Sequence, residues 1–330
     1  MMWVSWRRQR AQLITLLGML VVGAGVIALL RSTMIDAITS SQLARCVTQA
    51  LQDCTAPDGA AKAFQEAWTT RLNIGQAVIL GLPALIGVFI GAPLFARELE
   101  QGTHVLAFTQ SVRRTRWMVS KLVVALVPSL IVLIGLQYLV SWWLSAAGTL
   151  GPRKNGSFTA LNFGIEHVSP VGYALFAFAL GAFLGVVSRR TLAAMTAGLG
   201  AFVVARFALS GLVDRLVPAQ RLEVSPATNV NVYHDGSLVL ETGYLDAAGQ
   251  LVSKEKAGAL LQACKSTSEG TPNSQEGFLA CLPQSGLSKW YASFIPKSQA
   301  WQLHLVDLAI FGGLALLLLA GTAWVLRRQS

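Results

Sequence analysis

The chain has 330 residues, 53% of them apolar and 13% charged, with a net charge of +10. A soluble domain of this size would carry about 25% charged residues, and the apolar residues here are gathered into runs of about 20, the length that crosses a bilayer as helix. That excludes an ordinary soluble globular protein. The basic excess sits at the ends of the apolar runs, where orientation signals lie, so it argues against nucleic acid as a partner.

Taken in order, residues 1–10 hold Trp3 and Trp6 beside Arg7, Arg8 and Arg10. This suits a short cytoplasmic helix lying in the headgroup region; the plainer reading is a basic tail that fixes topology. The first span is residues 11–30. It lacks a small-residue cleavage site and is expected to stay as an anchor. Residues 31–74 form a polar extracytoplasmic segment of two helical stretches, with a turn at Pro57-Asp58-Gly59. The second span, residues 75–95, contains Pro83 and Pro93, which predict bends. Residues 96–121 form a polar cytoplasmic loop, too long for a mere turn, with Glu98 and Glu100 among basic residues. Within it, Val105, Phe108 and Val112 make an apolar stripe at helical spacing.

The third span is residues 122–147, with Trp142 and Trp143 as interface anchors near its outer end. Residues 148–167 are an outer loop, residues 168–187 the fourth span, residues 188–190 a cytoplasmic turn and residues 191–213 the fifth span. Residues 214–304 form the largest outer segment. Its first half shows alternating runs at 229–233, 237–242 and 250–253, with hairpin turns at His234-Asp235-Gly236 and Ala248-Gly249. A helix is predicted over 254–265. Tyr291, Phe294 and Trp301 lead into the sixth span, residues 305–326, and residues 327–330 are a cytoplasmic tail. The predicted architecture is an all-α integral membrane protein. It has six transmembrane helices, an N-terminal interfacial helix and a small extracytoplasmic α+β segment between spans five and six.

With both termini inside, the inner segments hold Arg7, Arg8, Arg10, Arg97, Arg113, Arg114, Arg116, Lys121, Arg189, Arg190, Arg327 and Arg328. The opposite orientation would break the positive-inside rule. Cys46, Cys54, Cys264 and Cys281 then all lie outside, which agrees with disulfides in an oxidising compartment. Three pairings are open; the local one, Cys46–Cys54 with Cys264–Cys281, is preferred over the others and over free thiols.

Small residues mark close helix packing. Gly87 and Gly91, Gly181 and Gly185, and the ridge Ala193, Ala197, Ala201 and Ala205 serve either contacts within the chain or a seam with a second copy. Two ionisable residues fall inside spans, Arg206 and Asp307. Their similar depth makes them an ion-pair candidate, either in a substrate path or simply structural. His304 is expected at the interface. The four histidines are scattered in sequence, and no metal-binding, nucleophile or phosphate-loop motif is found. No metal site, no catalytic residue and no enzymatic activity of the chain's own are therefore expected.

Several stretches resemble the permease subunit of type-2 ABC exporters, in particular the actinobacterial permeases. They are Trp6-Arg7-Arg8-Gln9-Arg10, the run from Gly91 through Arg97-Glu98-Leu99-Glu100-Gln101-Gly102-Thr103-His104, Thr109-Gln110-Ser111-Val112-Arg113-Arg114, and more loosely His234-Asp235-Gly236-Ser237 with Cys281. The resemblance covers nearly the whole chain and is sharpest over residues 97–114. It implies that residues 103–110 form a coupling helix docked on a separate ATPase. Glu98, Glu100, Gly102, Thr103, Val105, Phe108 and Gln110 would then carry the coupling. Glu98 and Glu100 would contact the ATPase or brace the loop against neighbouring arginines, and Gly102 would break the helix. It further implies a nucleotide-binding ATPase partner that holds ATP and Mg, no cofactor in this chain, and a second permease protomer. The setting implied is a bacterial cytoplasmic membrane, with lipids around the spans and export of a hydrophobic or amphipathic substrate. A rival reading from another class is a non-transporting sensor or scaffold whose outer segments bind a ligand.

Overall fold

The computed structural model describes residues 2–49, 57, 59–102, 114–152, 156–226, 237–268 and 274–328. The chain forms two compact units: Met1–Asn155 with Thr159–Val213 and Trp301–Ser330, and Gly156–Phe158 with Asp214–Ala300.

The first unit is helical. In chain order it holds α1 (Met2–Ser40), α2 (Ala60–Ile86), a π-helical segment (Gly87–Gly91), α3 (Ala92–Glu100), α4 (Arg114–Ala147) and the short α5 (Ala160–Ile165). It closes with α6 (Ser169–Ser188), α7 (Thr191–Leu216) and α10 (Ala300–Arg328). Among the described residues, six helical stretches are long and apolar enough to cross a membrane. The helices run beyond the predicted span bounds. α1 runs without a break through the expected boundary at Arg10 and past Leu30 to Ser40, and α2 begins at Ala60 rather than Gly75. The two helical stretches expected between spans one and two are largely the continuations of those spans. Helix hydrogen bonding carries on across the polar boundary because no proline interrupts it there, and a single glycine, Gly75, is tolerated within α2.

The irregularity in the second span lies between its prolines. Gly87–Gly91 is π-helical, with Pro83 inside α2 and Pro93 in the first turn of α3. This segment faces α6. A Cβ on Gly87 would lie 2.6 Å from the Ala177 carbonyl oxygen, and one on Gly91 would lie 2.6 Å from that of Phe178. From the other side, Gly181 meets the Gly87 carbonyl, and a Cβ on Gly185 would be 2.5 Å from that of Ala92. Two small-xxx-small pairs thus close on each other within one chain, and packing of this kind drives helix association where lipid removes the hydrophobic contrast. α6 is the most enclosed span and α1 the least; α1 packs mainly along α4. Ala193, Ala197 and Ala201 on α7 stay exposed, and Ala205 is half-buried.

Trp142 and Trp143 divide their roles. Trp142 stays at the surface under the Arg31 guanidinium, 4.0 Å from the ring centroid. Trp143 turns inward and is buried in the core, against Gly75, so it is not an interface anchor. Adjacent helical positions lie 100° apart, which sends one ring outward and the other inward.

The second unit is an antiparallel sheet with two helices. The sheet contains β1 (Gln220–Val224), β2 (Leu238–Leu245) and β3 (Lys289–Ile295), in the order β1-β3-β2. α8 (Lys254–Ser268) and α9 (Ser274–Gln284) lie between β2 and β3 in sequence. The helix predicted over 254–265 and the run at 237–242 are both present, and Leu251 forms only an isolated bridge with Leu245. The Ala248-Gly249 turn is held by the Asp246 carboxylate, which accepts from the backbone N–H of Ala248 and Gln250, with Gly249 at φ +77°. The run at 229–233 and the turn at 234–236 lie outside the described residues. Tyr291 and Phe294 belong to the central strand β3 rather than to an approach to the last span. Tyr291 lies across β2 at Gly243, where a side chain would strike the ring. Cys264 and Cys281 form a disulfide that joins α8 to α9. Cys46 is buried and disulfide-bonded; Cys54 lies outside the described residues.

Candidate functional site

Two polar constellations in the helical unit stand out against an otherwise apolar interior. The first is at the end of α3. Glu98 forms an ion pair with Lys121 on α4, and both side chains are largely buried. The Lys121 ammonium also sits 4.3 Å from the Trp117 ring centroid, a contact that favours a desolvated cation. Glu100 turns toward α7. Its Oε2 accepts from the Thr191 backbone N–H at 3.1 Å and from the Thr191 hydroxyl at 2.8 Å. A carboxylate at a helix N-terminus satisfies an orphan N–H and complements the macrodipole. Two residues apart at the exit of one helix, these carboxylates tie α3 to α4 and α7. Among the described residues the partners are a lysine and a helix end, and the Arg190 charge also acts on Glu100. Gly102 follows at φ +68°, the left-handed conformation that ends helices. Thr103, Val105, Phe108 and Gln110 lie outside the described residues.

The second constellation surrounds Asp307 on α10, which is only 1% exposed. It accepts a hydrogen bond from the Tyr173 hydroxyl on α6. The Arg206 guanidinium of α7 lies over the Tyr173 ring, 3.9 Å from its centroid. Among the described residues no ion pair joins Arg206 to Asp307 directly; the tyrosine stands between them, bonded to one and stacked under the other. Ser169 stands beside both Tyr173 and Asp307, and its hydroxyl lies 2.7 Å from His304 Nδ1. A buried carboxylate with several hydrogen-bond partners and a nearby cation avoids most of the cost of isolation.

His304 is fully buried within the protein. Its ring stacks on Phe163 at 4.2 Å and meets the His167 ring edge-on at 4.7 Å. His167 in turn meets Trp301 at 5.4 Å. Gln137 on α4 donates to the carbonyls of Ile165 and His167, at 2.9 and 2.8 Å, and so holds the loop between α5 and α6. Asn162 on α5 accepts from Gln76 on α2 at 2.6 Å. Asp307 accepts from Tyr173, no hydrogen bond joins it to the imidazole among the described residues, and Ser169 is buried. The group therefore lacks the carboxylate-imidazole-hydroxyl order that activates a nucleophile.

Arg206 and Asp307 were legible as a pair from their positions in apolar spans; Tyr173, Ser169, His167 and Glu166 were not. A signal existed in the spacing. Ser169 and Tyr173 are four apart and His304 and Asp307 three apart, so each pair shares one helix face.

A bundle of long apolar helices whose polar residues are tied inward defines a multi-pass membrane protein. The sequence model of the family described as ABC-2 membrane transporter related matches residues 17–214, and the chain belongs to that family: it is a membrane permease of the ABC type. Membership carries with it, in general terms, partnership with an ATP-binding subunit. No curated protein and no solved structure shows a significant match.

Proposed function

We propose that the chain is the transmembrane permease subunit of an ABC exporter. It moves a hydrophobic or amphipathic substrate outward while a separate subunit binds ATP and Mg and hydrolyses the nucleotide. The chain contributes no catalytic residue. Its setting is a bacterial cytoplasmic membrane, with both termini cytoplasmic. The observation that carries this reading is the double tie at the end of α3. The segment at 103–110, which resembles a coupling helix, directly follows a helix end fastened to α4 by Glu98–Lys121 and to α7 by Glu100–Thr191. α3 and the adjoining π segment are also seated against α6 by glycine contacts. A push delivered there reaches several spans at once through rigid helices. A second permease protomer packs against the alanine ridge of α7, where Ala193, Ala197 and Ala201 are exposed.

The test is a pull-down of the gently solubilised protein from native membranes. A stoichiometric soluble ATPase that is lost when Glu98 and Glu100 are both reversed to lysine supports the reading, provided the variant still inserts. Absence of any ATPase turns attention to the sensor alternative and to the sheet-containing unit.

A further inference from the structure

We propose that Glu166, His167 and His304 form a binding site for a divalent transition-metal ion of the zinc class. The donor atoms of the three residues all lie within 4.8 Å of one another. They come from two parts of the chain far apart in sequence, the loop before α6 and the first turns of α10.

The independent observation is the imidazole of His304. It is fully buried, and among the described residues its Nε2 has no hydrogen-bond partner. An orphaned buried ring nitrogen costs free energy that most proteins avoid. Its other nitrogen is already held by Ser169 Oγ at 2.7 Å, and Phe163 fixes the plane of the ring by stacking. This is how a metal-binding histidine is prepared: one nitrogen is anchored by an outer partner, which leaves the second aimed at the ion. His167 is held differently. Its carbonyl accepts from Gln137, and its backbone adopts φ +52°, an uncommon conformation for a residue other than glycine.

Two imidazoles with one carboxylate select a borderline ion such as Zn2+ over Mg2+ or Ca2+, which prefer all-oxygen sets. Bonds of about 2.0–2.2 Å in a tetrahedron put donors roughly 3.3 Å apart. The three groups must therefore draw together by up to about 1.5 Å on binding. Glu166 is half-buried and His167 exposed on their loop, which leaves them room to move, while His304 is fixed on its helix. A solvent molecule completes the coordination.

This inference does not rest on transport, and its test reads binding alone. The full chain, purified without a polyhistidine tag and stripped with chelator, is titrated with Zn2+ and separately with Mg2+ by calorimetry. The expected result is one Zn2+ per chain, no Mg2+ binding at the same concentration, and a Tm that rises with Zn2+ as linkage requires. His167→Ala and Glu166→Gln each weaken Zn2+ at least tenfold, and His304→Gln abolishes it. Because His167 is exposed, its variant keeps the metal-free Tm and separates ligand loss from misfolding. The double variant His104→Ala/His234→Ala, which removes the other two histidines of the chain, binds as the wild type does. No Zn2+ binding by the folded wild-type chain, or unchanged binding in His167→Ala, overturns the site.

Discussion

Glu100 caps the helix that begins at Thr191, accepting from both its backbone N–H and its hydroxyl, while Glu98, two residues earlier and on roughly the opposite helix face, is paired with Lys121. The two carboxylates therefore have separate partners on separate spans. They can be tested apart even though they lie two residues from each other.

Reversing Glu98 alone leaves Lys121 buried with its main counter-ion gone. Breaking a largely buried pair from one side costs about 3 kcal/mol. Glu98→Lys is expected to unfold at clearly lower temperature in detergent. The swapped double variant Glu98→Lys/Lys121→Glu is expected to recover most of the loss. Equal damage in single and swapped variants would show that the pair is not what matters.

Glu100→Gln keeps the shape of the side chain and removes its charge, and Thr191→Val removes one of the two donors. Both are expected to leave membrane insertion and the melting profile close to wild type, since this contact is exposed. Both are also expected to reduce stimulation of the partner's ATP hydrolysis several-fold in the reconstituted complex. Full stimulation in both variants would remove the tie between α3 and α7 from the coupling route.

The glycine contacts set a sharp contrast along the spans. Gly181→Leu drives a side chain into the backbone of Gly87, a clash worth about 1–3 kcal/mol when neighbours can shift and more when, as here, the obstacle is main chain. Its folded yield, followed by fluorescence-detected gel filtration, should fall steeply. Gly200→Ala, on a face with nothing within 4 Å, should behave as the parent.

Tyr173→Phe strips Asp307 of a hydroxyl donor inside the bundle, with an expected loss of about 1–3 kcal/mol. A double-mutant cycle of Tyr173→Phe with Asp307→Asn should give a larger coupling than the cycle of Arg206→Gln with Asp307→Asn. The reverse order would mean that the arginine acts on the carboxylate directly.

The Cys264–Cys281 bridge spans 17 residues in sequence, and a loop of that length stabilises by about 3 kcal/mol in the chain-entropy view. Non-reducing peptide mapping should recover the linked pair. Cys264→Ser should lower the melting temperature, with the effect reproduced by mild reduction of the parent.

Much of this protein can be read from order along the chain. The apolar runs announce the spans, because a bilayer demands about 20 apolar residues with every backbone group satisfied inside the helix. Gly102 marks the end of α3 because the left-handed conformation suits glycine, and the helix from Lys254 needs only local pattern. Partner choice between distant segments is another matter. Gly87 and Gly181 could have met each other or a second copy, and only the packed bundle decides that they meet within one chain. β3 was missed because a half-exposed strand next to a span looks like an interfacial approach until its partners across the sheet are known, and β1 because a five-residue strand carries little local pattern. Arg206 and Asp307 stand at similar depth by sequence, yet a tyrosine separates them. His167 and His304 are 137 positions apart in the sequence, and nothing local to either predicts that their rings touch. Sequence by itself determined which segments enter the membrane, since that depends on each segment's own transfer from water. Tertiary structure alone decided which polar groups face one another, since that depends on how the helices are rotated and packed once they are inside.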